Sequence, residues 1–595
     1  MMNVRRIGCV GLILASCASL GLSAVTISKD GQAQAIIVLA PDASEPEQYA
    51  AKELAQFLGQ ITGAEFKVAD RKNEQTSCLF VGPGAAKWAE AGFSTEGLGA
   101  EGIVLKTVGD DLILAGGRPR GTLYAVYTFL EDQLGCRWWS STESTIPRKP
   151  TVVIETLDVR YVPPLEYRSP FWTDAFDGDW SARNKANGQA HRLEARHGGK
   201  HIYEGFVHTF FPLIPPEKYF TDHPEWFSEI NGKRKHEHAQ LCLTNEAMRQ
   251  ELVKNLKQNL RNNPAATIAS VSQNDWYGNC ECAACKAIEQ EEESPAGLML
   301  RFVNAVAQDI EKEFPNVALS TLAYQYTRTP PKITKPRPNV IVQLCSIECS
   351  FSKPLADERN KAFRDDIIGW SKISERLYIW DYTTNFRHYF LPHPNLRVLG
   401  PNVKFFADHN VAGVFEQGAY TTNAAEMAEL RAWVLAKLLW DPTRDGEVLT
   451  NEFIEGYYGL AAPHIKAYLK VTHDAVEAAG DWLGCFQETN AKFLSFDTLS
   501  RGWQHLQAAE QAVADDPDLR LRVQTAQLPA LYAVMMRWKN LRETAQSTNA
   551  DWPMPDTIQA AFDQFINIAK KKNVTRLNEW QDGFGNLEKA LAENK

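Results

Sequence analysis

Residues 340–348 read VIVQLCSIE, an apolar run ending in a carboxylate; residues 360–373 follow with helical periodicity, and residues 377–381, LYIWD, form a second such run. A short strand, a helix and another strand of the same kind make one β-α-β step. Working outward, similar runs occur at 166–172, 205–211, 240–245, 268–275, 317–324 and 411–416, with helical segments between most of them, such as 245–260 and 295–314. Eight strand candidates alternating with helices predict an α/β fold built on a central (β/α)8 TIM barrel over residues 159–445.

On either side the rhythm changes. Residues 25–158 alternate strand-like segments with two helical ones and read as a small α/β domain; the glycines at 116–121 lack the G-x-G-x-x-G spacing of a dinucleotide loop. Residues 446–595 are helical throughout, with Leu528, Leu531, Tyr532, Met535 and Met536 on one face, a stripe expected to be core. Residues 1–24 read as an export signal, with Arg5 and Arg6 ahead of an apolar run. Leu14-Ala15-Ser16-Cys17 resembles a lipobox whose Cys17 would be lipidated, and Leu22-Ser23-Ala24 offers a competing cleavage site. The expectation is an exported protein, periplasmic or at the cell surface, touching membrane only through that lipid. A net charge of −10 argues against nucleic acid as a partner.

Barrel enzymes place their chemistry at the C-terminal ends of the strands. Here those ends carry Arg168 with Trp172, His208, Asn245, Asp275, Tyr324, Glu348, Asp381 and Glu416, beside Trp276, Tyr277, Trp380 and Tyr382. Hydrolysis of a glycosidic bond needs two carboxyl groups, one protonated and one ionised. Asp275 is the candidate general acid, with an Asx turn or helix cap as the plainer reading; Asn274 beside it could orient a hydroxyl or acetamido group. Glu416 is preferred as the second carboxylate because Gly413 and Gly418 leave room around it, Asp381 competes closely, and Glu348 comes third, with a salt bridge as its alternative. The remaining polar and aromatic strand-end residues are candidate sugar contacts. Arg168 suits either an anionic sugar substituent or a barrel carboxylate.

Two cysteines fall in the signal, leaving nine. Cys280, Cys282 and Cys285 follow Asp275 in the same loop; they could form a disulfide, hold a structural zinc with Cys242 or a His or Asp as fourth ligand, or remain inert thiols. Catalysis by two carboxylates calls for no cofactor.

Residues 116–139, GGRPRGTLYAVYTFLEDQLGCRWW, resemble the last strand, turn and helix of the small domain preceding the barrel in α-glucuronidases and β-hexosaminidases. His223-Pro224-Glu225-Trp226-Phe227, residues 240–245 (QLCLTN) and Asn274-Asp275 with the Cys-x-Cys-x-x-Cys that follows resemble a bacterial barrel family known mainly as domain of unknown function 4838. The resemblance implies a glycosidase-like protein acting on glycans and supplies no catalytic pair. It departs from the hexosaminidases, whose adjacent Asp-Glu is here Asn274-Asp275. The function expected is therefore a glycoside hydrolase acting on glycan termini. A non-catalytic carbohydrate-binding protein and a metal-dependent hydrolase are the alternatives.

Overall fold

The computed structural model describes residues 24–594; Cys17 and all but the last residue of the segment read as an export signal lie outside them. No helix of the described residues is long and apolar enough to cross a membrane.

At the centre is a curled, all-parallel sheet of seven strands: β1 (Tyr167–Phe171), β2 (Tyr203–Glu204), β3 (Ile268–Ser270), β4 (Ala318–Ala323), β5 (Val340–Cys345), β6 (Leu377–Tyr382) and β7 (Val411–Gln417), in the order β1-β7-β6-β5-β4-β3-β2. The expected eighth strand is not among them. Tyr203 of β2 pairs directly with Ile268 of β3, which leaves no place between them for residues 240–245. That segment makes only an isolated bridge, Leu241 to Phe227, and Asn245 ends it as the N-cap of helix Glu246–Asn262. The strand read at 205–211 is also shifted: Gly205 and His208 both take positive φ, which ends β2 before them, and Phe210–Leu213 is a short helix.

Side chains alternate across each strand, and the register decides which reach the interior. Tyr167, Ile268, Ala318, Ile341, Tyr378 and Phe415 form one apolar cluster inside the curl. Their neighbours of opposite parity, Val342, Leu344, Ile379 and Val414, pack outward in the main core with helices such as Leu396–Asp408 and Ala428–Trp440. Gly413 and Gly418, read as room for substrate, serve the protein's own aromatics instead. A Cβ on Gly413 would press on Tyr167 and Tyr378, and one on Gly418 would overlap the Trp172 indole.

The N-terminal part holds a six-stranded mixed sheet covered by helices Glu45–Thr62, Pro83–Ala89 and Gly121–Asp132. Its glycine-rich turn is a close contact of two backbones, since a Cβ on Gly116 or Gly121 would strike the other's main chain. Gly135, φ 85°, closes the third helix, with the Cys136 N–H donating to the Leu130 carbonyl. This part is joined to the central sheet by buried ion pairs. Arg168 on β1 meets Glu101 at 2.7 Å and Lys185 meets Glu131 at 3.0 Å. Burial pushes the Glu101 carboxyl up, but Arg168 and Arg120 outweigh it and hold it down at about 2. Residues beyond 446 form helices, and the stripe Leu528, Leu531, Tyr532 and Met535 is buried as core.

Candidate active site

A cleft of about 270 Å³ opens at the C-terminal ends of the strands, lined by inward-facing residues of four of them: Leu322, Cys345, Trp380, Tyr382 and Gln417. Larger surface hollows between helix Leu396–Asp408 and the segments 442–454 and 466–473 contain no strand-end group.

Asp275 stands at the cleft, its side chain 61% exposed, 3.8 Å from His208 Nε2. The Tyr324 hydroxyl donates to Asp275 Oδ1 at 3.0 Å. Burial and then the Asp275 charge push the Tyr324 phenol up, so it stays a donor. His208 Nδ1 donates to the Gln273 carbonyl at 2.7 Å. That bond places a proton on Nδ1 and turns Nε2 toward Asp275.

The carboxylate that faces the same cleft is one the sequence reading missed. Glu579 comes from the turn between the last two helices, and its Oε1 accepts from Gln417 Nε2 and the Tyr420 hydroxyl, each at 3.1 Å. Burial pushes the Glu579 carboxyl up and Asp275 adds to the rise, against the lowering effect of Tyr420 and Gln417. Both donors reach Oε1. Phe486 and Trp580, stacked at 6.0 Å and 24°, add an exposed aromatic wall from the same helical part. The only local signal was a Glu-Trp pair interrupting an otherwise helical pattern.

The second-carboxylate candidates lie elsewhere. Trp380 and Tyr382 face the cleft, so Asp381 between them faces the opposite way, and Glu416, its register partner on β7, does the same. Both are buried behind the sheet, where burial pushes each carboxyl up. Ser346 donates to Asp381, while Glu416 has no hydrogen-bond partner among the described residues, and burial and the neighbouring Asp381 charge both favour its protonated form. Above about pH 4.3 the unfolded chain loses a proton that the folded pair keeps. Stability should then fall as pH rises, by up to about 1.4 kcal/mol per unit, until the pair ionises. Glu416→Gln, which has no proton to lose over this range, is expected to flatten that slope in melting curves recorded against pH and to leave the cleft intact; an unchanged slope would show that Glu416 does not keep a proton on folding.

The other sequence candidates divide in the same way. Arg168 binds Glu101 on the outer face of β1, and Trp172, just past the end of that strand, is fully buried. Asn245 caps a helix by accepting from Met248 N at 3.0 Å. Asn274 is buried, with its side chain spent on Phe211 N and the Ala239 carbonyl. The Trp276 indole N–H also donates to Ala239 O, and Tyr277 is exposed near Tyr326 without lining the cleft. Glu348 pairs with Arg328 at 3.0 Å. Asp275, His208, Tyr324, Trp380 and Tyr382 are brought together at the cleft. Cys280, Cys282 and Cys285 gather behind the Asp275 loop with Cys242, their ligand atoms all within 4.8 Å of one another.

Among solved structures, a novel family GH115 4-O-methyl-α-glucuronidase, BtGH115A, with specificity for decorated arabinogalactans, aligns over 96% of this chain and 80% of its own at TM-score 0.61 and 13% identity. The structure of CpGH84B aligns over 97% of this chain and 98% of its own, at TM-score 0.44 and 12% identity. No curated protein matches the sequence. Residues 23–129 match the glycosyl hydrolase family 67 N-terminus. Residues 138–470, more than half of the length, match the domain of unknown function DUF4838, and the chain belongs to that family.

Proposed function

We propose that the chain is an exported glycoside hydrolase whose working pair is Asp275 and Glu579. The observation that carries this reading is their convergence on one aromatic-walled cleft in different electrostatic settings. Glu579 is desolvated and favours its protonated form, while Asp275 is open to solvent and held by a phenol that donates to it. Two carboxyl groups set apart in this way supply the acid and the ionised partner that glycosidic hydrolysis requires. The acid role expected of Asp275 therefore passes to Glu579. Its proton leaves on the departing alcohol as the C1–O bond breaks, and the Asp275 carboxylate opposes the positive charge developing at C1. Water supplies the hydroxyl at C1 and returns a proton to the pair. Trp380, Phe486 and Trp580 offer flat faces to the C–H surface of a sugar ring.

The cleft lining contains no Lys or Arg among the described residues. An anionic sugar would meet two carboxyl groups without a cation to pair it, so the substrate proposed is a neutral terminal sugar of a complex glycan. Against a panel of aryl glycosides, neutral sugars should be cleaved about ten-fold or more faster in kcat/KM than the matching glucuronide. A preference for the glucuronide would contradict this specificity, and binding without turnover of any member would favour a carbohydrate-binding role.

A further inference from the structure

We infer that Cys242, Cys280, Cys282 and Cys285 form a tetrathiolate zinc site that braces the loop carrying Asp275. Four sulfurs each about 2.3 Å from one zinc stand about 3.8 Å apart at the corners of a tetrahedron. Cys242 Sγ lies 3.8 Å from Cys282 Sγ and 3.9 Å from Cys285 Sγ, and the whole set falls within 4.8 Å. A disulfide would instead draw one pair to about 2.05 Å and leave the other two apart.

The surroundings suit bound thiolates. The backbone N–H of Glu229 donates to Cys280 Sγ at 3.3 Å, Arg234 Nη1 approaches the same sulfur at 3.6 Å, and the Thr244 hydroxyl lies 3.3 Å from Cys285 Sγ. Such donors around the sulfurs offset part of the negative charge of four thiolates on one divalent ion. Three of the four cysteines are buried, and Cys282 is partly open at the N-terminus of helix Ala283–Glu291. Four sulfurs would fill the tetrahedron, leaving no position for water or substrate, which makes the site structural.

Its position explains what it would hold. The ligands join three separate segments: the end of residues 240–242, the loop after Asp275 and the start of the following helix. The hairpin Glu229–Ile230 with Lys233–Arg234 packs against them. Gln240, two residues before Cys242, clamps the Asp275 loop from the other side. Its Nε2 donates to the carbonyls of Asn274 and Trp276 at 3.1 and 2.6 Å, and its Oε1 accepts from Asn274 N at 2.9 Å. Residues 272–279 have no regular structure of their own, so the zinc and the Gln240 clamp together set the position of Asp275.

The test is metal analysis of the full chain purified without chelator, followed by hydrogen exchange before and after zinc removal. One zinc per chain is expected, and Co²⁺ in its place should give the visible bands of tetrahedral cobalt thiolate. Zinc removal should raise exchange in residues 226–245 and 274–291 and spare the N-terminal sheet. Cys282→Ser, at the open edge of the cluster, should weaken zinc about ten-fold or more. Substoichiometric metal, or a peptide pair linked by a disulfide among the four, would overturn the site. Stoichiometric zinc whose loss leaves exchange near Asp275 unchanged would overturn the bracing role. None of these readouts uses a substrate, so they stand or fall apart from the hydrolase reading.

Discussion

Glu579→Gln is expected to lower kcat on a glycoside with a poor leaving group by about 10²- to 10⁴-fold, the usual contribution of a general acid. The wild-type rate should fall as pH rises through the elevated Glu579 value, because the acid form is consumed. The variant, having no proton to lose there, should show no such limb. A substrate whose leaving group departs without protonation should largely rescue Glu579→Gln. It should not rescue Asp275→Asn, because Asp275 acts on the anomeric carbon and not on the leaving group. If both variants lost the same activity on both substrates, the division of roles between Asp275 and Glu579 would be wrong.

Arg168→Met is expected to cost about 3 kcal/mol of stability, the lower end for breaking a buried ion pair. The arginine is 1% exposed and serves three partners: Glu101, the Leu165 carbonyl and the Lys185 carbonyl. Its removal leaves the buried Glu101 with Arg120 and Asn187 as donors, at 2.6 and 2.9 Å, which limits the loss. Glu101 is held at about 2 in the folded protein, so the stabilisation from its charge is complete at neutral pH and fades as pH falls from about 4.3 toward 2. The deficit of the variant, read as a drop in melting temperature, should therefore be largest at neutral pH and shrink in acid. Adding Glu101→Gln should restore part of the neutral-pH loss, since no charge is then stranded. A single variant as stable as wild type would contradict the view that this pair locks the N-terminal part to the central sheet.

The pattern of short apolar runs and helical spacers made the parallel sheet readable, and the cleft lies at the strand ends as expected. The face that each strand-end residue presents was not readable. Parallel strands covered on both sides are buried on both faces, so Ile379, Trp380, Asp381 and Tyr382 give no alternation of core and solvent positions to read. One step in parity separates Trp380 in the cleft from Asp381 behind it, Gln417 from Glu416, and Phe171 from Trp172. Residues 240–245 misled for a different reason. Leu241 and Cys242 are buried as strand residues would be, but their partners are a loop and a thiol cluster and not a neighbouring strand. Glu579 could not be found locally, since it stands more than 300 residues from Asp275 and reaches the cleft only because the helical part folds over the strand ends.

The measurement closest to the central claim is mass spectrometry of sugars released from a broad glycan panel by the full chain, beside Asp275→Asn and Glu579→Gln. The account predicts release of a neutral terminal monosaccharide by the wild type and loss of that product in both variants. Undiminished release by either variant would contradict the pairing of Asp275 with Glu579, and no release by the wild type from any glycan would contradict hydrolysis itself.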